Sequence, residues 1–297
     1  MTLSSKPLGS GGHFSYYLKR SESLLLLVLL FLVLVLAQLR LRVHFSIGGT
    51  HSKGLEWINS DCYKPLTRPI LGEYKKWDNN TNPPKIVNVG FPKVGSTTLK
   101  EFLNTSSFNV SHMWPCGGQG KGDCASCMQR AINKSLPPLA YCGNYAAYTQ
   151  MDITMGGKCI YPQISYLKQI YDEDPSAIFL LPFRNVTDWI RSVTNWPRPL
   201  SSFNFRQRIT DYCEFPEYNF TLSMGNDDRD FEDLYCKHVQ HIRHFVSKRP
   251  NLTLVEYSID GEGVGENLAS LLPHMKLNGS NYGHINKSHM TRKNSSS

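Results

Sequence analysis

The sequence predicts an α/β protein: a three-layer α/β/α domain with a central, mostly parallel sheet, after an N-terminal transmembrane helix. From residue 85 onward, short apolar runs alternate with segments of helical periodicity. Alternating strands and helices form right-handed βαβ units, which build a parallel sheet covered on both faces. An unbroken apolar run over residues 24–37 predicts the membrane helix.

The apolar run extends through residue 39 and is flanked by basic residues on both sides. About 20 residues cross a typical hydrocarbon core, and snorkelling basic side chains let a shorter segment suffice. A cleaved signal peptide ending at Ala37 is the alternative. Because Arg40 and Arg42 follow the run at once, we favour a retained signal-anchor over residues 24–39.

Glycosylation sequons predict the orientation of this anchor. Ten Asn-x-Ser/Thr sequons all follow the apolar run, at Asn79, Asn104, Asn109, Asn133, Asn185, Asn219, Asn251, Asn278, Asn286 and Asn294. Such acceptors are used in the secretory lumen. We therefore expect residues 1–23 to be a cytosolic tail and the remainder to be lumenal, in a single-pass type II membrane protein.

The eight cysteines also follow the anchor. An even number in an oxidising compartment indicates disulfides, although spacing alone leaves their pairing open. A zinc site usually joins two tight knuckles, and Cys124-Ala-Ser-Cys127 is the only one here, so we expect no metal.

Residues 40–84 are polar and punctuated by proline, as expected of a lumenal stem, and residues 85–297 form the predicted domain. In chain order, the pattern predicts a strand at 85–91, a helix at 97–103, strands at 108–113 and 139–148, a helix at 164–171, a strand at 177–183, helices at 186–195 and 231–248, and a strand at 252–259.

The net charge is +8 and the isoelectric point is near 9.0. The basic residues are scattered and form no dense run, which argues against a nucleic-acid partner. The charge suits an anionic lipid, an acidic small molecule or an acidic polysaccharide, and alone it does not choose among these partners.

The segment Gly90-Phe-Pro-Lys-Val-Gly-Ser-Thr-Thr98 predicts a phosphate site. A strand runs into a glycine-containing turn that opens a helix, whose free N–H groups and positive dipole end attract an anion. It is not a Walker A loop, because Lys93 precedes Gly95 instead of following it. The candidate ligand positions are Lys93, Val94, Gly95, Ser96, Thr97 and Thr98.

A second candidate phosphate site follows the apolar run 177–183. Arg184 ends that predicted strand, and Ser192 lies eight residues on, within the next predicted helix. An arginine presents a forked donor set that suits phosphate, and two helical turns can bring the serine to the same group.

Together these motifs resemble the PAPS-dependent (3'-phosphoadenosine 5'-phosphosulfate) Golgi carbohydrate sulfotransferases. The first is similar to their 5'-phosphosulfate loop and the second to their 3'-phosphate site, although Asn185 and Val186 replace the usual Asp and Pro. Asn109-Val-Ser-His112 resembles the strand that ends in the catalytic histidine of uronyl and heparan sulfate 2-O-sulfotransferases, the nearest members. His284-Ile-Asn286 is similar to a segment that closes over the nucleotide.

The resemblance implies a P-loop-like fold and a place in the Golgi membrane. It also implies transfer of a sulfuryl group from PAPS to a hydroxyl or amine of an anionic glycan in the Golgi lumen, without a metal. Lys93 would stabilise the leaving oxygen, and His112 would accept the acceptor's proton. Three alternatives remain: a tyrosylprotein sulfotransferase, a non-catalytic glycan-binding protein, and a type II Golgi glycosyltransferase. The last would use Asp172-Glu-Asp174 or Asp228-Arg-Asp230 to bind a metal.

Overall fold

The structure is a computed structural model, and it describes residues 61–66, 84–116, 122–155, 157–196, 204–218 and 227–283. The chain divides into two compact units, 1–54 and 55–297, and every described residue belongs to the second. The predicted anchor, most of the predicted stem, and the His284–Asn286 segment lie outside the described residues. Within the described part, no helix is both long and apolar enough to cross a membrane.

A five-stranded parallel sheet forms the centre of the second unit. The described strands are β1 (Ile86–Asn88), β2 (Val110–Ser111), β3 (Ala147–Tyr148), β4 (Ile153–Met155), β5 (Lys158–Ile160), β6 (Ile178–Phe183) and β7 (Thr253–Ser258). The sheet order is β2-β3-β1-β6-β7, and β4 and β5 form a separate antiparallel hairpin. The predicted parallel sheet is thereby confirmed.

Eight α-helices are described, and the polar residues that precede several of them explain where they begin. They are α1 (Ser96–Thr105), α2 (Cys124–Ile132), α3 (Pro162–Ser165), α4 (Leu167–Glu173), α5 (Val186–Thr194), α6 (Phe205–Tyr212), α7 (Asp228–Ser247) and α8 (Val264–Leu271). The side chains of Asp123, Asn185 and Asp227 accept hydrogen bonds from the first-turn N–H groups of α2, α5 and α7. These N-caps satisfy donors that have no partner within the helix.

Alternating strand residues pack into two separate cores, one on each face of the sheet. Val87 and Phe179 belong to one core, which α7 covers with residues such as Leu234. Ile86 and Ile178 belong to the other core, with residues of α1 and α8. Because successive side chains of a strand point to opposite faces, this division is the three-layer arrangement that the sequence predicts.

Three of the predicted strands are much shorter than expected, and the one predicted at 85–91 forms only Ile86–Asn88. The segment predicted at 139–148 forms a strand only at Ala147–Tyr148, because turns occupy its first half, including Gly143 with a φ of 78°. The segment predicted at 108–113 forms only Val110–Ser111. The β2–β3 end of the sheet is therefore short, and the residues that follow each of these two strands form loops at the carboxyl ends of the strands.

All eight cysteines form disulfides, as predicted. The pairs are Cys62–Cys236, Cys116–Cys124, Cys127–Cys142 and Cys159–Cys213. The first closes 174 residues and joins segment 61–66 to α7.

Segment 61–66 is held to the domain by more than its disulfide. Arg243 pairs with Glu256 at 2.8 Å, and both side chains are buried. Arg243 also donates to the carbonyl of Lys64, while Glu256 accepts from the N–H of Leu66. These contacts fasten part of the predicted stem to the domain; the domain boundary at 85 itself stays a prediction.

Candidate active site

The turn after β1 is fixed by the side chains around it. Asn88 accepts a hydrogen bond from the N–H of Gly90 at 2.9 Å and donates to the carbonyl of Thr149 at 2.6 Å. A Cβ on Gly90 would lie 2.8 Å from Pro182 of β6, so only glycine fits there. The turn is thereby held against both neighbouring strands, at the end of the sheet where α/β proteins bind ligands.

The backbone after this turn forms an anion cradle. Lys93 has a φ of 72° and Gly95 a φ of 86°, and a non-glycine residue in this region marks strain of the kind found at ligand sites. Gly95 begins α1 without a side-chain cap. Within the described chain, the N–H groups of Ser96, Thr97 and Thr98 have no acceptor. They are left to an anion at the positive end of the helix dipole.

The Lys93 amine lies beside this cradle and against an aromatic ring. Its Nζ is 3.0 Å from the ring centroid of Trp196, whose side chain is 49% exposed. Burial lowers the pKa of Lys93 to about 8, the charge of Arg184 acts in the same direction, and Asp152 opposes both. At neutral pH the amine is therefore mainly protonated and positioned to stabilise negative charge.

Arg184 connects the two predicted phosphate motifs. It follows β6, and its Nη1 donates to the carbonyl of Lys93 at 2.9 Å. Its Nε is buried and has no partner among the described residues. An unpaired buried guanidinium N–H is costly, so it is a donor available to a phosphate oxygen.

Ser192 lies on α5 and is half-buried, two helical turns beyond Arg184. The helix places it on the element that the sequence predicts. No contact in the described chain joins it to Arg184 or to the cradle, and its role at the 3'-phosphate stays a prediction.

His112 lies next to the cradle. It follows β2 directly, and its Nε2 is 3.3 Å from the hydroxyl of Ser96, the first residue of α1. Burial, with a smaller effect from Lys100, lowers the pKa of His112 to about 4. The imidazole is therefore neutral at any physiological pH and able to accept a proton.

The structure adds three site residues to those that the sequence predicts. Ser96 donates to Oε1 of Gln150 at 3.1 Å, and Nε2 of Gln150 donates to Asp152 at 3.2 Å. Gln163 donates to Asp152 and to the carbonyl of Gly90, each at 3.3 Å. Asp152 is 3% exposed, and burial raises its pKa to about 6.

Neither candidate metal site offers free ligands. The sulfurs of Cys116, Cys127 and Cys142 lie within 4.8 Å of one another, but each belongs to a disulfide and supplies no thiolate. The paired acids of the glycosyltransferase alternative lie at helix ends. Asp172 pairs with Lys168 on α4, and Asp228, the first residue of α7, pairs with Arg206.

The fold and the cradle together form a candidate anion site at the edge of a parallel sheet. A family described as the sulfotransferase domain matches residues 85–289. The chain belongs to that family, and it is therefore a sulfotransferase. No curated protein matches the sequence closely enough to indicate an acceptor.

Proposed function

We infer that this protein transfers the sulfuryl group of PAPS to a hydroxyl or amine of a glycan in the Golgi lumen. The observation that carries this proposal is the link between the two phosphate motifs, since Arg184 donates to the carbonyl of Lys93 in the cradle. The cradle suits a 5'-phosphosulfate, and the unpaired Nε of Arg184 suits the 3'-phosphate. A donor that carries phosphates at both positions engages both motifs at once.

Lys93 acts on the sulfuryl donor, and His112 acts on the acceptor. As the acceptor oxygen forms its bond to sulfur, the bond from sulfur to the bridging oxygen breaks and 3',5'-ADP leaves with the electron pair. The Lys93 amine stabilises the charge on that leaving oxygen. His112 accepts the proton that the acceptor hydroxyl releases.

Two exposed tryptophans favour a ring-shaped acceptor. Trp196 contacts Lys93, and Trp114, two residues after His112, is 47% exposed. An exposed aromatic ring beside a site offers an apolar face on which a sugar ring can pack. A glycan acceptor is therefore favoured, and the basic net charge favours an anionic one.

Incubation of the full chain with sulfur-labelled PAPS tests the proposal. The acceptors would be heparan and chondroitin chains, neutral galactose- and hexosamine-containing oligosaccharides, and tyrosine-containing acidic peptides. We expect label in a glycan, abolished by Lys93→Ala. Label in peptide alone would replace the glycan by a protein acceptor, and label in none of them, with PAPS bound, would support a binding protein.

A further inference from the structure

A chain of hydrogen bonds, buried at one end and part-buried along the rest, connects Gln163 to His112. It passes from Gln163 to Asp152, Gln150, Ser96 and the imidazole. The chemistry of each group decides which partner donates and which accepts in each of these hydrogen bonds. Together these directions determine which nitrogen of the His112 imidazole has the proton.

The amide of Gln150 has only one consistent orientation. Its Nε2 faces a carboxylate oxygen of Asp152 at 3.2 Å and the thioether sulfur of Met113 at 3.8 Å. An ionised carboxylate and a thioether can only accept, so both require the N–H side of the amide. The carbonyl Oε1 therefore faces Ser96.

This orientation determines the tautomer of His112. The Ser96 hydroxyl has a single proton, which it donates to Oε1 of Gln150 at 3.1 Å. A hydroxyl whose proton is already donated can only accept from another group. The Nε2 of His112, 3.3 Å from that oxygen, is therefore the N–H nitrogen, and Nδ1 has the lone pair.

We propose that Gln150 is a positioning residue that holds His112 in the Nε2–H tautomer through Ser96, so that Nδ1 takes the acceptor's proton. The use of Nδ1 as a base rests on the proposed function, whereas the tautomer follows from the hydrogen bonds alone. In the transfer, the acceptor O–H bond breaks, its proton goes to Nδ1, and its oxygen bonds to sulfur. The resulting imidazolium keeps its Nε2–H donated to Ser96.

Asp152 makes this arrangement stable without a direct contact to the histidine. It accepts from both Gln150 and Gln163, and it is 3% exposed, which locks the Gln150 amide against rotation. Gln163 also donates to the carbonyl of Gly90, so the same chain is tied to the cradle.

The test is nitrogen NMR of the full chain in detergent, labelled with ¹⁵N only at histidine, with the His112→Ala spectrum identifying the His112 resonances. We expect a protonated Nε2 and an unprotonated Nδ1 in the wild type. In Gln150→Leu the Ser96 proton is released and can be donated to Nε2. Loss of one hydrogen bond then shifts the tautomer ratio about 2- to 10-fold toward Nδ1–H.

Gln129→Leu is the matched control, since Gln129 is also half-buried but lies on α2, beside Tyr166 and outside this chain of bonds. It should leave the His112 resonances unchanged. An Nδ1–H tautomer in the wild type, or an unchanged ratio in Gln150→Leu, would overturn the proposal. If Gln150→Leu does not fold, Gln150→Ala removes the same carbonyl acceptor, keeps Ser96, and supplies the same measurement.

Kinetics separate this inference from the proposed function. The kinetics would use an acceptor that the labelled-PAPS assay identifies. Gln150→Leu should lower kcat by the same factor by which it lowers the population of the Nε2–H tautomer, while the KM for PAPS stays within about twofold. The predicted tautomer without sulfate transfer in any assay would refute the proposed function alone. Transfer with the opposite tautomer would refute the inference alone.

Discussion

Replacement of Lys93 by alanine gives the sharpest test of the assigned chemistry. Alanine at a φ of 72° is as strained as lysine, so the substitution leaves the backbone preference unchanged. The bond from Arg184 goes to the Lys93 carbonyl and survives it. The substitution removes the amine together with its aliphatic stem and its contact with the Trp196 ring. Loss of one preorganised donor at a developing oxyanion costs about 10²–10³ in kcat, or ~2.7–4 kcal/mol.

The assay is transfer of labelled sulfate at saturating PAPS, with calorimetric titration of 3',5'-ADP on the same preparation. Lys93→Ala should lose turnover while its affinity for 3',5'-ADP falls much less, because the loop N–H groups and Arg184 remain. Lys168→Ala is the control, since Lys168 is exposed and pairs with Asp172 on α4. A Lys93→Ala enzyme that keeps kcat within threefold of wild type would refute the role of the amine.

The pH dependence of Lys93 supplies a second measurement on the same enzyme. With a pKa of about 8, the amine loses its proton as pH rises through that value. The kcat/KM for PAPS, which reports the free enzyme, should therefore fall above about pH 8. If the activity stays flat to pH 9.5, the catalytic cation is another group.

Four other outcomes follow from the site and its surroundings. Arg184→Ala should raise the KM for PAPS about 10-fold or more, with a smaller change in kcat, because the hydrogen bonds of a charged donor to phosphate stabilise ground and transition states alike. His112→Ala should lower kcat by about 10²–10⁴ and spare 3',5'-ADP binding, and the acidic limb of wild-type kcat/KM should lie near pH 4, not 6.5. Burial in the folded state lowers the pKa of His238 to about 3. The free energy of unfolding should therefore be highest above pH 6.5 and should decline as pH falls toward 3, because the unfolded state then binds a proton that the folded state does not. Urea titrations at several pH values measure this, and a profile that stays flat would contradict it. Peptide mapping should find Asn185 unglycosylated in active enzyme, because its side chain caps α5 next to Arg184, and an occupied Asn185 would move the donor site elsewhere.

The features predicted from sequence were those encoded in contiguous residues. The cradle is one segment that includes Lys93 and Gly95, and Arg184 directly follows an apolar strand, so local pattern and fold class placed them at the same edge of the sheet. Disulfide formation was predicted from the even number of cysteines and from the oxidising compartment that the sequons suggest. The pairing did not, because it depends on how elements as distant as Cys62 and Cys236 meet.

The hydrogen-bond chain could not be predicted in the same way. Gln150 and Asp152 follow β3, whose two residues give too short a pattern to indicate a strand. The contact of Gln150 with Ser96 depends on β3 lying between β1 and β2, which only the assembled sheet shows. The sequence around Ser111, which is buried at the end of β2, did not indicate that the next residue, His112, would contact Ser96 of α1. The one available cue was the polar segment Thr149-Gln-x-Asp152, which directly follows the apolar run at 146–148.

Binding of 3',5'-ADP tests the central claim most directly. Calorimetry on the full chain, with EDTA present, should show one site per chain, and Arg184→Ala should weaken it about 10-fold or more. A parallel titration with a UDP-sugar and Mn²⁺ should show no binding. Tight binding of the UDP-sugar, with none of 3',5'-ADP, would contradict the assignment of the cradle and Arg184 to a PAPS site.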